Sequence, residues 1–392
     1  MKKKAILLIT QTDWTEKLGA AKVHIELKQE YEKIGYHVDK LSFEDLYPNG
    51  QSAFDKIFGE FYISKIHKFL KKNARHYDII DANIHCIIHP KNKYDFKGIV
   101  LVRSHGIGPI YRHAEQHIER YRHTLKAFDK KPKLKTRIGN LYRKLQKKVN
   151  ENDFNLSIQH ADIVHCLNYD EYKYYLNAGV AKRKLFVIPN GIGDKFIEEC
   201  NDRIVTKKEN VLSFVGSWTL RKGVKDLSEI LNKLDQKGGV SKLMLVGGFT
   251  LEEEILRDFS DEQKQKLEVI PTYDSKSLIS ILNRAYIGVF PSYVEGFPLA
   301  IIEQLACGIP IVAYRVPGPK DILAELDNEL LVEPGNIEEF VYKAKRLLEM
   351  KNEDYLLLSA NCKAISLNYK LSSIAAEFID VYNTFSDDKK GN

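Results

Sequence analysis

The residues best suited to chemistry lie in the run Pro291-Ser292-Tyr293-Val294-Glu295-Gly296-Phe297-Pro298-Leu299-Ala300-Ile301-Ile302-Glu303. A short apolar segment ends at Phe290, Gly296 gives a flexible loop, and Pro298 suits the first turn of a helix that Gly308 stops. Amides near Phe297–Leu299 would then lie at a helix N-terminus, where unpaired N–H groups and the positive end of the helix dipole attract a phosphate. Glu295 sits just before that helix and Glu303 about one and a half turns inside it. One carboxylate could accept hydrogen bonds from ribose hydroxyls while the other faces a sugar bound beyond the phosphates. Taken alone, such a pair is more often two surface glutamates around a strand–loop–helix joint.

A second stretch of the same half of the chain changes that balance. Phe214-Val215-Gly216-Ser217-Trp218-Thr219-Leu220-Arg221-Lys222-Gly223 puts a glycine-bearing loop after an apolar strand and two cations before the next helix. Those parts neutralise a diphosphate that must leave as an anion. By itself this stretch is a solvated basic helix start; together with the two glutamates it makes a phosphate site.

The elements that must position these groups follow from periodicity. Ala5–Ile9, Tyr36–Asp39, Tyr77–Ile80, Gly98–Val102, Asp162–Cys166 and Leu185–Ile188 read as strands. Between the first two, Val23, Leu27, Tyr31 and Ile34 recur at helical spacing over Lys22–Ile34. After Pro189-Asn190-Gly191 and a polar stretch the pattern restarts, with strands Val211–Val215, Lys242–Val246, Leu267–Ile270, Ile287–Phe290, Ile309–Ala313 and Leu330–Glu333. Helices are expected at Lys225–Leu234, Lys276–Arg284 and up to Cys307. Strands alternating with helices predict parallel, doubly wound sheets whose ligands bind at the strands' carboxyl ends. The expected domains are residues 1–195, residues 196–370, and a C-terminal helix over 371–392 that packs back toward the first domain and frays at its end.

Composition narrows the class. A chain of 392 residues is long enough for two cores, and 44% hydrophobic with 29% charged residues excludes disordered and fibrous classes. Five scattered cysteines without a C-x-x-C make a disulfide scaffold or zinc ribbon a poor fit and suit a reducing, intracellular setting. Lys2-Lys3-Lys4 before Ala5–Ile9 imitates a signal peptide, but the apolar run is too short and no small-residue cleavage site follows. The net charge of +7 is concentrated: residues 111–150 carry 13 Lys or Arg against 3 acids, leaving the rest of the chain acidic on balance. Tyr111, Tyr121, Phe128 and Tyr142 interleave those cations, a pattern that suits an anionic bilayer surface and equally a solvated helical insertion. No nucleic-acid module accompanies the charge, so nucleic acid is not expected as a partner.

Together the two chemical stretches resemble the retaining GT-B glycosyltransferases of family 4, the glycosyl transferases group 1. Lys17-Leu18-Gly19-Ala20 is similar to the family's glycine loop, and Ile34-Gly35-Tyr36-His37-Val38 to its second strand. Val187-Ile188-Pro189-Asn190-Gly191 resembles its interdomain motif, Leu245-Val246-Gly247-Gly248 its mid-domain strand, and Ala306-Cys307-Gly308-Ile309-Pro310-Ile311-Val312-Ala313 a further motif. The resemblance implies an α/β GT-B fold, two Rossmann-like doubly wound domains facing across a cleft, the first for the acceptor and the second for a nucleotide-sugar donor.

Carried onto this sequence, the resemblance implies that Glu303 binds the ribose and that Glu295 with the backbone of Gly296, Phe297, Pro298 and Leu299 holds the donor sugar and distal phosphate. It implies that Lys222 pairs with the diphosphate beside Gly216 and Ser217, and that Gly19 lets the first domain's loop approach. It gives His105, in Arg103-Ser104-His105-Gly106, a place facing the donor sugar. Residues near Thr272-Tyr273 are expected to flank the base. Ser217 stands where the family usually has Arg, so either Arg221 compensates or Lys222 holds the phosphates alone; Gly19-Ala20 replaces a double glycine. The implied reaction is retaining and metal-independent: a sugar moves from a nucleotide-diphosphate donor, with UDP favoured over GDP, to a saccharide or lipid-linked glycan in cell-surface polysaccharide or glycolipid assembly. No cofactor or metal is expected, and the sequence has no D-x-D. The expected location is cytoplasmic, including the inner face of the cell membrane through residues 111–150. The alternatives are a non-catalytic sugar-nucleotide-binding or scaffold protein of the same fold, against which intact Lys222, Glu295 and Glu303 speak, and a UDP-sugar 2-epimerase.

Weaker patterns carry less. His113 and His117 lie four apart, but the intervening Glu115 is one position late for a zincin. Gly106-Ile107-Gly108 starts like a dinucleotide fingerprint and has Tyr111 at its final glycine position.

Overall fold

Runs of apolar residues buried on both faces make parallel strands, and this chain builds two sheets from them. A computed structural model describes residues 3–15, 19–51, 62–106, 110, 151–201, 210–235, 239–274, 276–326 and 328–388. The basic segment 111–150, with His113 and His117, and the terminal tail beyond 388 lie outside the described residues. The described residues divide into two compact units, those of 3–105 with 151–189 and 371–388, and residues 106 and 110 with those of 190–370. The main division thus falls at Pro189–Asn190, within the proline–asparagine–glycine turn and not after residue 195.

In the first unit β1 (Ala5–Ile9), β2 (His37–Leu41), β3 (Ile79–Asn83), β4 (Ile99–Arg103), β5 (Ile163–Cys166) and β6 (Leu185–Val187) pair in the order β2-β1-β3-β4-β5-β6. Every pairing is parallel. All five residues of β1, β3 and β4 are buried, which is why β1 and the first four residues of β4 read as continuous rather than alternating apolar runs, while β3 carries Asp81 and Asn83. The helix Gly19–Ile34 buries Val23, Leu27 and Tyr31 on one face and begins earlier than its apolar stripe, at Gly19. The strand order reverses between β1 and β3, so the loops after β1 and β3 border the natural ligand crevice of this sheet.

The C-terminal helix Leu371–Asp388 belongs to this unit. Its Tyr382 hydroxyl donates to Asp81 Oδ2 at 2.8 Å, and the Phe378 ring lies 4.0 Å from the Arg103 guanidinium carbon. Arg103 Nε donates to Asp81 Oδ1 at 3.0 Å and Nη2 to Oδ2, at side chains that are 1% and 0% exposed. Burial alone would lift the Asp81 pKa, but Arg103 overrides it and holds the carboxyl below its ordinary range.

In the second unit β7 (Val211–Val215), β8 (Lys242–Val246), β9 (Leu267–Ile270), β10 (Ile287–Phe290), β11 (Ile311–Tyr314) and β12 (Leu331–Val332) pair in the order β12-β11-β10-β7-β8-β9. This sheet is also parallel throughout. Four strands match their expected bounds, while β11 starts two residues late because Pro310 has no N–H to give; its carbonyl instead accepts from Gly288 N at 2.9 Å. The core of this unit joins Leu212, Phe214 and Leu227 to Tyr314, Phe340 and Tyr355. Here the strand order reverses between β7 and β10.

Candidate functional site in the second unit

That reversal decides where the chemical residues meet. The loops after β7 and β10 leave the carboxyl ends of two hydrogen-bonded neighbours, and they carry residues 216–223 and 291–298. The first loop closes as a short turn, Leu220–Lys222, docked on the second: Tyr293 N donates to Arg221 O at 2.9 Å and Ser292 Oγ to the same oxygen at 3.2 Å. Gly223 makes the approach possible. It has φ +69°, and a Cβ there would stand 1.8 Å from the Pro291 carbonyl oxygen. Gly318 does the same for the other flank, with φ +84° and a Cβ that would lie 2.5 Å from Gly296 O.

The result is a carboxylate ringed by donors. Glu295 Oε1 accepts from Lys222 Nζ at 2.6 Å and from Ser292 Oγ at 2.5 Å, with Arg221 Nη1 at 3.5 Å. Arg221 Nη1 also donates to Val294 O at 2.8 Å. The Lys222 and Glu295 side chains are 11% and 8% exposed, whereas Arg221 is 41% exposed. Lys222 Nζ lies 5.1 Å from the centre of the Phe290 ring. Burial pulls the Lys222 pKa down and the neighbouring Arg221 adds to this, both opposed by the attraction of Glu295. Such an ammonium gains from any further anion brought beside it.

Past Glu295 the chain turns into the helix Leu299–Ala306, with Pro298 as its N-cap. The first amides of a helix have no partner within it, so this start offers donors beside the cations. Phe297 O accepts from Asn190 Nδ2 at 3.3 Å, and the Phe297 ring packs against Tyr369, tying the turn to the asparagine of the proline–asparagine–glycine segment. Glu303 is buried in the helix, 5% exposed. Gly216 N donates to Val246 O and Trp218 N to Gly248 O, both at 2.9 Å, so half-buried Ser217 sits where the β7 and β8 loops are laced together. Thr272 is exposed after β9; its neighbour Tyr273 lies across Gly247, where a Cβ would meet the ring at 2.8 Å.

The structure therefore brings Gly216, Ser217, Arg221, Lys222, Glu295, Gly296, Phe297, Pro298 and Leu299 to one pair of loops, with Glu303 in the adjoining helix. Gly19 and His105 belong to the first unit. His105 Nε2 donates to Asn83 Oδ1 at 2.9 Å, which leaves Nδ1 as the acceptor, and its ring lies 5.0 Å from that of His24. Burial, then the charges of His24 and Arg103, push its pKa far below the ordinary value, so the imidazole is neutral. Gly19 opens the first helix, and beyond its own helix and chain neighbours no described atom lies within 4 Å of the position a Cβ would take. One residue escaped the sequence reading: Ser292 fixes Glu295 through a hydroxyl that only the fold aims. A polar residue directly after the proline that follows β10 was the one available signal for Ser292.

Among the described residues no three His, Cys, Asp or Glu side chains gather as a metal ion would require. No helix among them is long and apolar enough to cross a membrane.

The geometry agrees with what comparison with known proteins finds. A family model described as glycosyl transferases group 1 matches residues 197–363, the span that holds the site just described except Asn190 and Tyr369. The capsular polysaccharide biosynthesis glycosyltransferase CapM of Staphylococcus aureus is 25% identical over 215 residues, 54% of each chain. N,N'-diacetylbacillosaminyl-diphospho-undecaprenol alpha-1,3-N-acetylgalactosaminyltransferase of Campylobacter jejuni is 25% identical over 241 residues, 59% of this chain and 62% of that one. The matched stretch thus spans a little over half the length of these relatives. Among solved structures, Anabaena HepE in complex with UDP superposes with a TM-score of 0.66 at 15% identity, over 97% of this chain and 100% of that one. A likeness at that identity establishes the fold. Residues 197–363 belong to the glycosyl transferases group 1, set in a chain with the GT-B fold.

Proposed function

We propose that this protein is a retaining glycosyltransferase that takes a sugar from a UDP-sugar and passes it to a saccharide or lipid-linked glycan in cell-surface polysaccharide assembly. The observation that carries the reading is the Lys222–Glu295 pair, with Arg221 beside it, at the strand-order reversal of the family domain. The names of the relatives, a capsular glycosyltransferase and a transferase acting on a diphospho-undecaprenol glycan, support the acceptor class. The UDP held by the structural neighbour supports the donor.

In this reading the diphosphate displaces Glu295 from Lys222 and takes the ammonium, the Arg221 guanidinium and the amides at the start of Leu299–Ala306 as its counter-charges. Glu295, still held by Ser292, turns to the hydroxyls of the donor sugar, Glu303 takes the ribose, and Thr272 lies beside the base. Gly19 and His105 serve from the first unit, His105 through its neutral ring. The anomeric carbon–oxygen bond to the diphosphate breaks and the bond to the acceptor oxygen forms on the same face. The acceptor's proton passes to a diphosphate oxygen, so the chain supplies position and charge stabilisation and no metal. The working location is the cytoplasm and the inner membrane face.

The test is thermal unfolding with UDP, GDP or ADP in EDTA, on wild type and Glu303→Ala. A nucleotide at 100 times its Kd stabilises by about 2.7 kcal/mol. A shift with UDP that Glu303→Ala loses is the expected result, and no shift with any of the three overturns the donor site. Binding of UDP and UDP-sugars with no sugar transfer to any glycan acceptor would instead assign a non-catalytic binding protein.

A further inference from the structure

The first unit buries a polar chain that the proposed reaction leaves unused. Ser104, immediately before His105, is 1% exposed and is gripped twice. Its Oγ donates to Glu171 Oε1 at 2.9 Å, and its main-chain N–H donates to His165 Nδ1 at 3.3 Å. The second bond fixes the tautomer of His165: Nδ1 accepts, so Nε2 carries the proton and donates to Ile188 O at 2.7 Å. Glu171 is itself 1% exposed, and its other oxygen accepts from Leu167 N at 2.9 Å. The Glu171 amide is held by Asn168 Oδ1, the cap of the helix Tyr169–Asn177. From below, the Arg103–Asp81 pair anchors the end of β4.

A buried carboxylate costs stability unless it is hydrogen-bonded, and among the described residues the side chain bonded to the Glu171 carboxylate is that of Ser104, the residue immediately before His105. We propose that Glu171 and Ser104 are positioning residues for His105, a buried prop that aims its imidazole from the strand end. The inference rests on the reading of His105 as the group facing the donor sugar.

The surroundings make the prop testable by pH. Burial raises the Glu171 pKa to about 7, with Asp170 adding to it against the hydrogen bonds from Leu167 and Ser104. The other titratable groups facing it stay neutral near that pH: burial pushes the Cys166 thiol and the Tyr175 phenol up, and pushes His165 down to about 3. Arg103 beyond them stays charged. Of these groups Glu171 is the one that changes charge between pH 5 and 9.

Full-length protein labelled with 13C-histidine gives the first readout, the His105 ring signal being the one of twelve lost in His105→Gln. That signal should move with an apparent pKa near 7 in wild type, stay still with pH in Glu171→Gln, and be displaced in Ser104→Ala. The second readout is UDP release from UDP-glucose, UDP-galactose, UDP-GlcNAc and UDP-GalNAc with a detergent extract of bacterial membranes as acceptor. Ser104→Ala and Glu171→Gln should each lower kcat about 10- to 100-fold with the donor KM within about twofold. A His105 signal that ignores both substitutions overturns the prop, whatever the rates do, and Ser104→Ala keeps the test open should Glu171→Gln fold poorly. Wild-type turnover in His105→Ala would instead sink the role of His105, and with it any catalytic purpose of the prop.

Discussion

Two cation–carboxylate pairs stand at the carboxyl ends of two parallel sheets, and they are built differently. Arg103–Asp81 is made by residues within β4 and β3 themselves, is two-pronged, and is closed by the Tyr382 hydroxyl and the Phe378 ring. Lys222–Glu295 is made by residues on loops beyond β7 and β10, touches through one oxygen, and has a partly exposed Arg221 beside it. Each pair joins opposite charges in little water. The first has every partner it needs within the unit, so its removal should be felt as lost stability. The second is a compact pair that an incoming diphosphate can reorganise, so its removal should be felt as lost chemistry.

The largest effect should come from the closed pair. Asp81→Ala leaves Arg103 charged and buried, and should cost about 3–5 kcal/mol in urea unfolding. Unchanged stability would erase the contrast. Next, Lys222→Ala should lower sugar transfer about 10²–10³-fold, with an unfolding midpoint near that of wild type. If this variant unfolds early instead, the loop pair is structural like its counterpart.

Tyr382→Phe removes a single hydrogen bond to a charged group and should destabilise by about 1.5–3 kcal/mol, read by the same urea titration. Glu171 adds a pH signature to the first unit. Its carboxyl sits at about 7 when folded against 4.5 as the ordinary value, so the folded chain holds the extra proton between those limits. Its contribution to stability is therefore full below the ordinary value and is lost as pH rises through about 7, by roughly 3 kcal/mol at most. Unfolding of Glu171→Gln measured from pH 4.5 to 8 should lack that decline.

The smallest effect should be Gly19→Ala, since beyond its own helix and chain neighbours no described atom approaches the new Cβ. A stability change within about 0.5 kcal/mol is expected. Weaker UDP binding in this variant, at unchanged stability, would tie the first unit's loop to the donor.

Much of this was legible in the chain. The runs of β1, β4, β7 and β8 are apolar without alternation because parallel strands are covered on both faces, and that pattern needs no partner to be read. Glycine at position 223 marked its loop, although the carbonyl it must clear is visible only in three dimensions. The C-terminal helix shows its stripe of Phe378 and Tyr382 in sequence, but nothing local says that Asp81, 301 residues away, receives the Tyr382 hydroxyl.

The sequence by itself determined the strand and helix periods, the loops that bear the cations and glutamates, and the family span, because these depend on residue type and near spacing. Tertiary structure alone decided that β7 lies beside β10, that Ser292 holds Glu295, and that Glu171 and His165 close on Ser104. The reason is physical: strand order and side-chain pairing are set by which buried groups must satisfy one another, and those partners are distant along the chain.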